Sequence, residues 1–148
     1  MRAGADKIAP VISSKGVRFK NNKARYLVEA REKLCSKNSK PLHKLISSFK
    51  TPREAREWLV GNIKGMGLKE ASHFLRNIGY GEDVAILDRH ILKNLVKLDV
   101  ISAVPETLSK KTYLKIEQKM RGFSKRVKIP MSHLDLLLWF NETGALFK

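Results

Sequence analysis

"KGMGLKEASHFLRNIGYGEDVAILDRH", Lys64 to His90, is the stretch that decides the fold. After two closely spaced glycines, Gly65 and Gly67, the apolar residues Leu68, Ala71, Leu75 and Ile78 recur at helical spacing, and Gly79 marks the stop. That face turns Lys69 and His73, four residues apart, toward the other side, so Lys69 is not read as a core residue. A short link containing Gly81 leads into "LDRHILKNLVKL", a helix for which Asp88 is the natural N-cap.

Outward from this stretch the punctuation stays helical. "TPREAREWLVGN" carries Thr51 as N-cap, Pro52 at the first helical position, Glu54 to complete a capping box and Gly61 as the stop. Asn22 to about Leu34 is a further helix, with Ala24, Leu27, Val28 and Leu34 on its apolar face. Downstream, Ser109 caps a long helix to about Val127 whose stripe is Tyr113, Ile116, Met120, Phe123 and Val127. Lys111, Lys115 and Lys119 make a basic row beside that stripe. Past Pro130 a last helix, "SHLDLLLWFNETG", is expected to start at Ser132 and to stop at Gly144. Residues 1 to 13 resist placement, and no alternating β-branched run closed by Asn-Gly or Asp-Gly appears. The reading is all-α, one domain over residues 1–148.

The charge balance narrows the partners. Thirty Lys and Arg against 14 Asp and Glu leave +16, a field that gathers polyanions and points to nucleic acid. No apolar run approaches the ~20 residues of a membrane span, and no leader with a cleavage site opens the chain, so an intracellular protein without a membrane partner is expected. Cys35 is the single cysteine, which rules out an internal disulfide and a cysteine-ligated zinc or iron–sulfur site from this sequence.

Read on their own, the individual residues leave alternatives open. A glycine turn between helices serves many folds, yet Gly65 and Gly67 would bare backbone N–H groups at a helix N-terminus, where a phosphate binds well. Lys69 in that first turn is either a solvated surface cation or a nucleophile. A helix terminus contributes roughly 0.3–1 kcal/mol, less than the ~1.36 kcal/mol of one pKa unit, so nucleophilic use requires a partly desolvated pocket between two lobes. Asp88 can cap a helix and face a cleft at once. His90 has no metal-ligand companion at useful spacing and is a phosphate contact or a surface imidazole.

Taken together, the hairpin, Lys69, Asp88 with His90, and the terminal "LDLLLWFNETGALFK" resemble the signature of helix-hairpin-helix DNA glycosylases whose motif ends in Gly/Pro-Asp. The specific likeness is to the archaeal-type second family of 8-oxoguanine DNA glycosylase/AP lyases, over about residues 14 to 148, including "GVRFKNNKARYLVEARE". The resemblance implies two small helical lobes around a cleft. It implies that Lys69 is the nucleophile that expels the base and holds the sugar as a Schiff base, and that Asp88 stabilises the oxocarbenium-like sugar and moves protons to and from Lys69. Lys64, Gly65, Gly67 and His90, with the Lys111, Lys115 and Lys119 row, are then expected on DNA. Trp139 is expected against the extruded base, with a core aromatic as the alternative, and Lys148 is expected to read that base, with a frayed end as the alternative.

The implied partner is double-stranded DNA containing oxidised guanine, met by a monomeric, nucleoid-associated enzyme without an iron–sulfur cluster or other cofactor. Relatives with a four-cysteine cluster act on other bases, so the lone Cys35 favours the 8-oxoguanine branch. Family members carry additional N-terminal helices, and the N-terminal lobe is expected to be incomplete here. Two competing readings are the same chemistry on another oxidised or abasic lesion, and a non-catalytic helix-hairpin-helix DNA-binding module.

Overall fold

The computed structural model describes residues 3–36 and 39–144, and among these it forms eight helices and no strand. In chain order they are α1 (Ala5–Ser14), α2 (Lys20–Leu34), α3 (Leu42–Ser47), α4 (Pro52–Asn62), α5 (Leu68–Asn77), α6 (Arg89–Lys97), α7 (Lys110–Val127) and α8 (Met131–Thr143). The all-α reading holds, and the caps hold best. The Thr51 side chain accepts from the Glu54 N–H, Ser109 accepts from the Thr112 N–H, and Gly144 ends α8 in the left-handed region. Glu54 reaches back one residue further than a capping box predicts, accepting from the Lys50 N–H at 2.9 Å.

Several local expectations are corrected. Gly61 does not stop α4, because the helix continues to Asn62 and the reversal falls at Gly65, whose φ is +81°. The last helix starts at Met131 with Pro130 as its N-cap, so Ser132 is inside it; Pro130 supplies a fixed φ at the entry and its carbonyl accepts from the Leu134 N–H. α1 and α3 were not anticipated. Pro10 lies within α1, where a missing N–H normally argues against a helix, and α3 is too short to show a period. Ile78, Leu27 and Val127 are exposed although they sit on the predicted apolar faces, because the next core layer does not extend over them.

The apolar residues divide into two cores. The first joins Ile46, Ala55, Leu59, Ile63, Ala71 and Leu75, from α3, α4 and α5, with Ala30 and Leu34 of α2 against its edge. The second joins Ala85 and Leu87 of the α5–α6 link to Ile91, Leu95, Tyr113, Ile116, Met120, Leu134 and Leu138. These are the two small lobes.

What ties the lobes together is polar and buried. Arg56 of α4 makes a two-pronged bond to Glu117 of α7, Nη1 to Oε1 at 2.6 Å and Nη2 to Oε2 at 2.9 Å, with both residues 1% exposed. Nη1 also donates to the Ser72 hydroxyl on α5, and Glu117 Oε1 accepts from the Ala85 N–H at 2.8 Å. Beside them the Tyr113 hydroxyl donates to the Ala85 carbonyl and accepts from the Leu87 N–H. The link between α5 and α6 is therefore hung from α7 by both side chains. Gly81 lets that link leave α5 closely, since a Cβ there would lie 2.5 Å from the Arg76 backbone nitrogen.

Breaking a buried ion pair by removing one partner costs about 3–5 kcal/mol, so Glu117→Ala should lower the unfolding free energy by that amount in urea titration. A combined Arg56→Met and Glu117→Leu variant should recover part of the loss, because no orphaned charge remains. Burial pushes the Tyr113 hydroxyl up from its ordinary value of 10.0 to about 12. The unfolded chain then releases this proton first as pH rises, so the stabilisation is complete below about pH 10 and drains away toward pH 12. Tyr113→Phe should cost about 1–2 kcal/mol at neutral pH, and its deficit relative to the parent should shrink between pH 9 and 11.5. A constant deficit across that window would contradict the assignment.

Candidate functional site

The turn between α4 and α5 is built around a missing side chain. Gly65 has a left-handed φ, and a Cβ there would lie 2.4 Å from Cδ2 of Tyr26 on α2. The tyrosine ring thus occupies the space that any other residue at 65 would need. Lys64 Nζ stands 5.6 Å from the centre of the same ring and 3.6 Å from Glu29 Oε2. An apolar cavity of about 270 Å³, lined in part by Tyr26, Leu27, Gly65 and Met66, opens beside the turn.

Gly67 is the N-cap of α5, in extended conformation and with no side-chain cap. The orphan donors of the first turn are the expected anion seat. Glu70 Oε2 lies beside them, 2.9 Å from where a Gly67 Cβ would be, without capping the helix. A carboxylate in a first turn is favoured by the helix dipole, which explains its position. Glu70 also holds Lys69, Nζ to Oε1 at 3.4 Å. The Lys69 side chain is 44% exposed, so the partly desolvated pocket that nucleophilic use requires is not present in the free protein.

Asp88 takes the cap position expected of it. Its Oδ1 accepts from the N–H groups of His90 and Ile91, both at 2.9 Å. The neighbours of Lys69 and Asp88 meet in one core: Leu68 packs against the cluster that contains Leu87 and Ile91. α5 therefore enters the second lobe with its first residue and spends Ala71 and Leu75 on the first lobe. Lys69 stands where the two lobes meet.

His90 lies edge-on to Trp139 of α8, ring centres 5.0 Å apart at 82°. Trp139 is partly buried and packs against the second core. The register between α6 and α8 is fixed by Asn94, which sequence reasoning missed. It is 2% exposed, and its Nδ2 donates to the carbonyls of His90 and Leu138. Its Oδ1 accepts from Asn141, and Lys97 donates to Glu142 at 2.9 Å, which holds the Glu142 carboxyl below its usual range. A polar residue at a helix's buried face was the one signal available for Asn94. Lys111, Lys115 and Lys119 are exposed along α7. Lys148 lies outside the described residues.

Among the described residues no group of three or more His, Cys, Asp or Glu is placed to hold a metal ion, and no helix is long and apolar enough to cross a membrane.

A family model for 8-oxoguanine DNA glycosylase matches residues 1–129. An 8-oxoguanine DNA glycosylase/AP lyase of Fusobacterium nucleatum is 58% identical over 132 residues, 89% of this chain and 61% of that protein. One from Methanocaldococcus jannaschii is 46% identical over 133 residues, 90% of this chain and 61% of its own length. The chain thus spans about three-fifths of the length of these curated relatives. A crystal structure of the Methanocaldococcus jannaschii enzyme with a 15-mer DNA containing 8-oxoguanine superposes with a TM-score of 0.86 at 41% identity, over all of this chain and 68% of that one. The 8-oxoguanine DNA glycosylase of Thermotoga maritima gives 0.82 at 35% identity, over 99% and 67%.

Two substitutions probe the local architecture independently of any reaction. Asp88→Ala should cost about 0.5–2 kcal/mol by removing the α6 cap, while Asp88→Asn should stay within a few tenths of the parent, both read by thermal unfolding. Gly65→Ala should lose more than about 1 kcal/mol, since it meets both the left-handed φ and the Tyr26 ring. Equal stability of Gly65→Ala and the parent would mean that the turn is not held as described.

Proposed function

The chain belongs to the 8-oxoguanine DNA glycosylase family, and from that premise we propose that it excises 8-oxoguanine from duplex DNA and cleaves the abasic site it creates. The observation that supports the reading is that Leu68, the neighbour of Lys69, packs against the cluster that holds Leu87 and Ile91 on either side of Asp88. The target nucleotide leaves the stack, at a cost of a few kcal/mol that phosphate contacts at the hairpin and a fitted pocket offset. The deprotonated Lys69 amine attacks C1′ as the glycosidic C–N bond breaks, and the base departs with the bonding pair and takes up a proton. Asp88, as a carboxylate, stabilises positive charge on the sugar and carries the proton between Lys69 and the reacting groups. The sugar ring opens to an iminium on Lys69. Loss of a C2′ proton then expels the 3′ phosphate, and water releases the lysine.

The free protein keeps Lys69 in water beside Glu70, so the bound duplex has to supply the dry surroundings. Trp139 is the aromatic surface for the extruded base, and Lys148 supplies polar contacts to it. Lys64, Gly65, Gly67, His90 and the Lys111, Lys115 and Lys119 row hold the DNA backbone. We place the protein inside the cell, acting on DNA as a monomer, with no metal or iron–sulfur group in the reaction; prolonged dialysis against chelator should leave turnover unchanged.

Borohydride reduction is the decisive experiment, since it fixes an imine as a covalent protein–DNA adduct. Lys69→Gln should lose base release and trapping while binding lesion DNA within about tenfold of the parent. Efficient trapping by that variant would sink the Schiff-base role. Affinity for DNA should fall with a log–log salt slope near −4 to −5, from roughly four to six neutralised phosphates at about −0.9 each. Glu70→Gln removes the carboxylate that lies over the hairpin, and should raise DNA affinity by up to about fivefold at low salt.

A further inference from the structure

α4 and α7 leave between them a cavity of about 690 Å³. Arg53, Arg56, Arg121 and Lys125 line it, with Glu57 and Glu117. Both carboxylates are already engaged: Glu117 by Arg56 and the Ala85 N–H, Glu57 by Lys110. The remaining positive charge is not matched. Arg121 commits Nη2 to the Asp83 carbonyl at 2.6 Å and lies 3.9 Å from Glu117, while its Nε and Nη1 have no hydrogen-bond partner among the described residues. Its side chain is 17% exposed, so this charge is largely withdrawn from water. Burial above all, and next the charge of Arg53, push the Arg121 guanidinium below its ordinary range, against the opposing pull of the Glu117 and Asp83 carboxylates.

A second feature of the cavity is Gly122, inside α7. A Cβ there would meet nothing within 4 Å, so packing does not call for a glycine at a position where glycine weakens a helix. It lies exposed on the lining of the cavity between Arg121 and Lys125.

We propose that this cavity is a binding site for a phosphate-class oxyanion, held between Arg53, Arg121 and Lys125. A group with several oxygens and about two negative charges satisfies a fixed guanidinium and its flexible neighbours together, which a single carboxylate does not. The site is separate from the hairpin. Arg53 lies in the first turn of α4, and the hairpin follows the end of that helix at Asn62, roughly 14 Å away at about 1.5 Å per residue. Occupancy would also steady Arg121, whose bond to the Asp83 carbonyl holds the link that leads to Asp88. The oxyanion is either a free phosphate compound or a backbone phosphate of bound duplex. The proposal does not depend on the excision reaction.

The test compares two double variants of the full chain with the same change in net charge: Arg53→Glu with Lys125→Glu at the exposed rim, and Lys33→Glu with Lys40→Glu elsewhere on the surface. Inorganic pyrophosphate is titrated against each by calorimetry and thermal shift, and the salt slope of duplex binding is measured. Saturable pyrophosphate binding that is about tenfold or more weaker in the rim variant than in the control identifies a free phosphate ligand. A salt slope lowered by one to two units more in the rim variant than in the control identifies a backbone phosphate. Indistinguishable behaviour of the two variants in both measurements overturns the proposal.

Discussion

The bond between Arg56 and Glu117 is the constraint on which the rest of the structure depends. Two small apolar cores have little power to fix their mutual orientation, because hydrophobic contact is non-directional and Leu68 is the conspicuous apolar residue carried from one lobe into the other. A two-pronged arginine–carboxylate bond has direction as well as strength. Burying it is expensive unless the remaining lone pairs and protons are used, and here they nearly all are, by Ser72 and the Ala85 N–H. Arg56 Nε is the exception, buried without a hydrogen-bond partner. The consequence reaches the candidate site directly. Glu117 and Tyr113 grip the link at Ala85 and Leu87, and Asp88 is the next residue.

The same economy of position recurs at the two side chains to which the proposed function gives the reaction. Asp88 is held by its duty to two backbone N–H groups, which fixes one oxygen of the carboxylate at the start of α6. Lys69 has the opposite arrangement: its backbone is fixed by Leu68 and the hairpin, while its side chain is 44% exposed beside Glu70. In the proposed reaction a rigid carboxylate and a mobile amine suit their roles, since charge stabilisation requires preorganisation and nucleophilic attack requires travel.

How far the fold and the site were legible in the sequence follows from the range of the interactions. Thr51, Asp88, Ser109 and Gly144 act on backbone within four residues of themselves, and each was readable. Gly61 and Ser132 misled because glycine and serine are permissive residues: neither forces a boundary when the apolar period carries the helix past it. Arg56, Glu117 and Asn94 could not be found, since their partners lie 61 residues apart in the first case and 44 in the second. On the sequence Arg56 and Glu117 look like ordinary polar residues of amphipathic helices, and Asn94 differs only in falling on the apolar face of α6. The seat of Lys69 was legible and its surroundings were not, because Glu70 is a chain neighbour whose side-chain direction only the folded turn decides.

The position of Glu70 bears on why a protein with a formal charge of +16 would keep an anion beside the turn to which the proposed function gives a phosphate. An unfilled helix N-terminus next to Lys64 and Lys69 concentrates positive charge, and repulsion there would loosen the turn. A carboxylate resting over Gly67 relieves that repulsion within the free chain. Because Glu70 is half exposed, leaving costs it little, and a backbone phosphate brings more charge and more acceptor oxygens to the same donors. Displacement of Glu70 by a phosphate would also remove the carboxylate partner of Lys69. On the proposed function, filling of the hairpin and release of the amine from Glu70 would be one electrostatic exchange, so that the lysine would lose its carboxylate partner only where a phosphate has taken the turn.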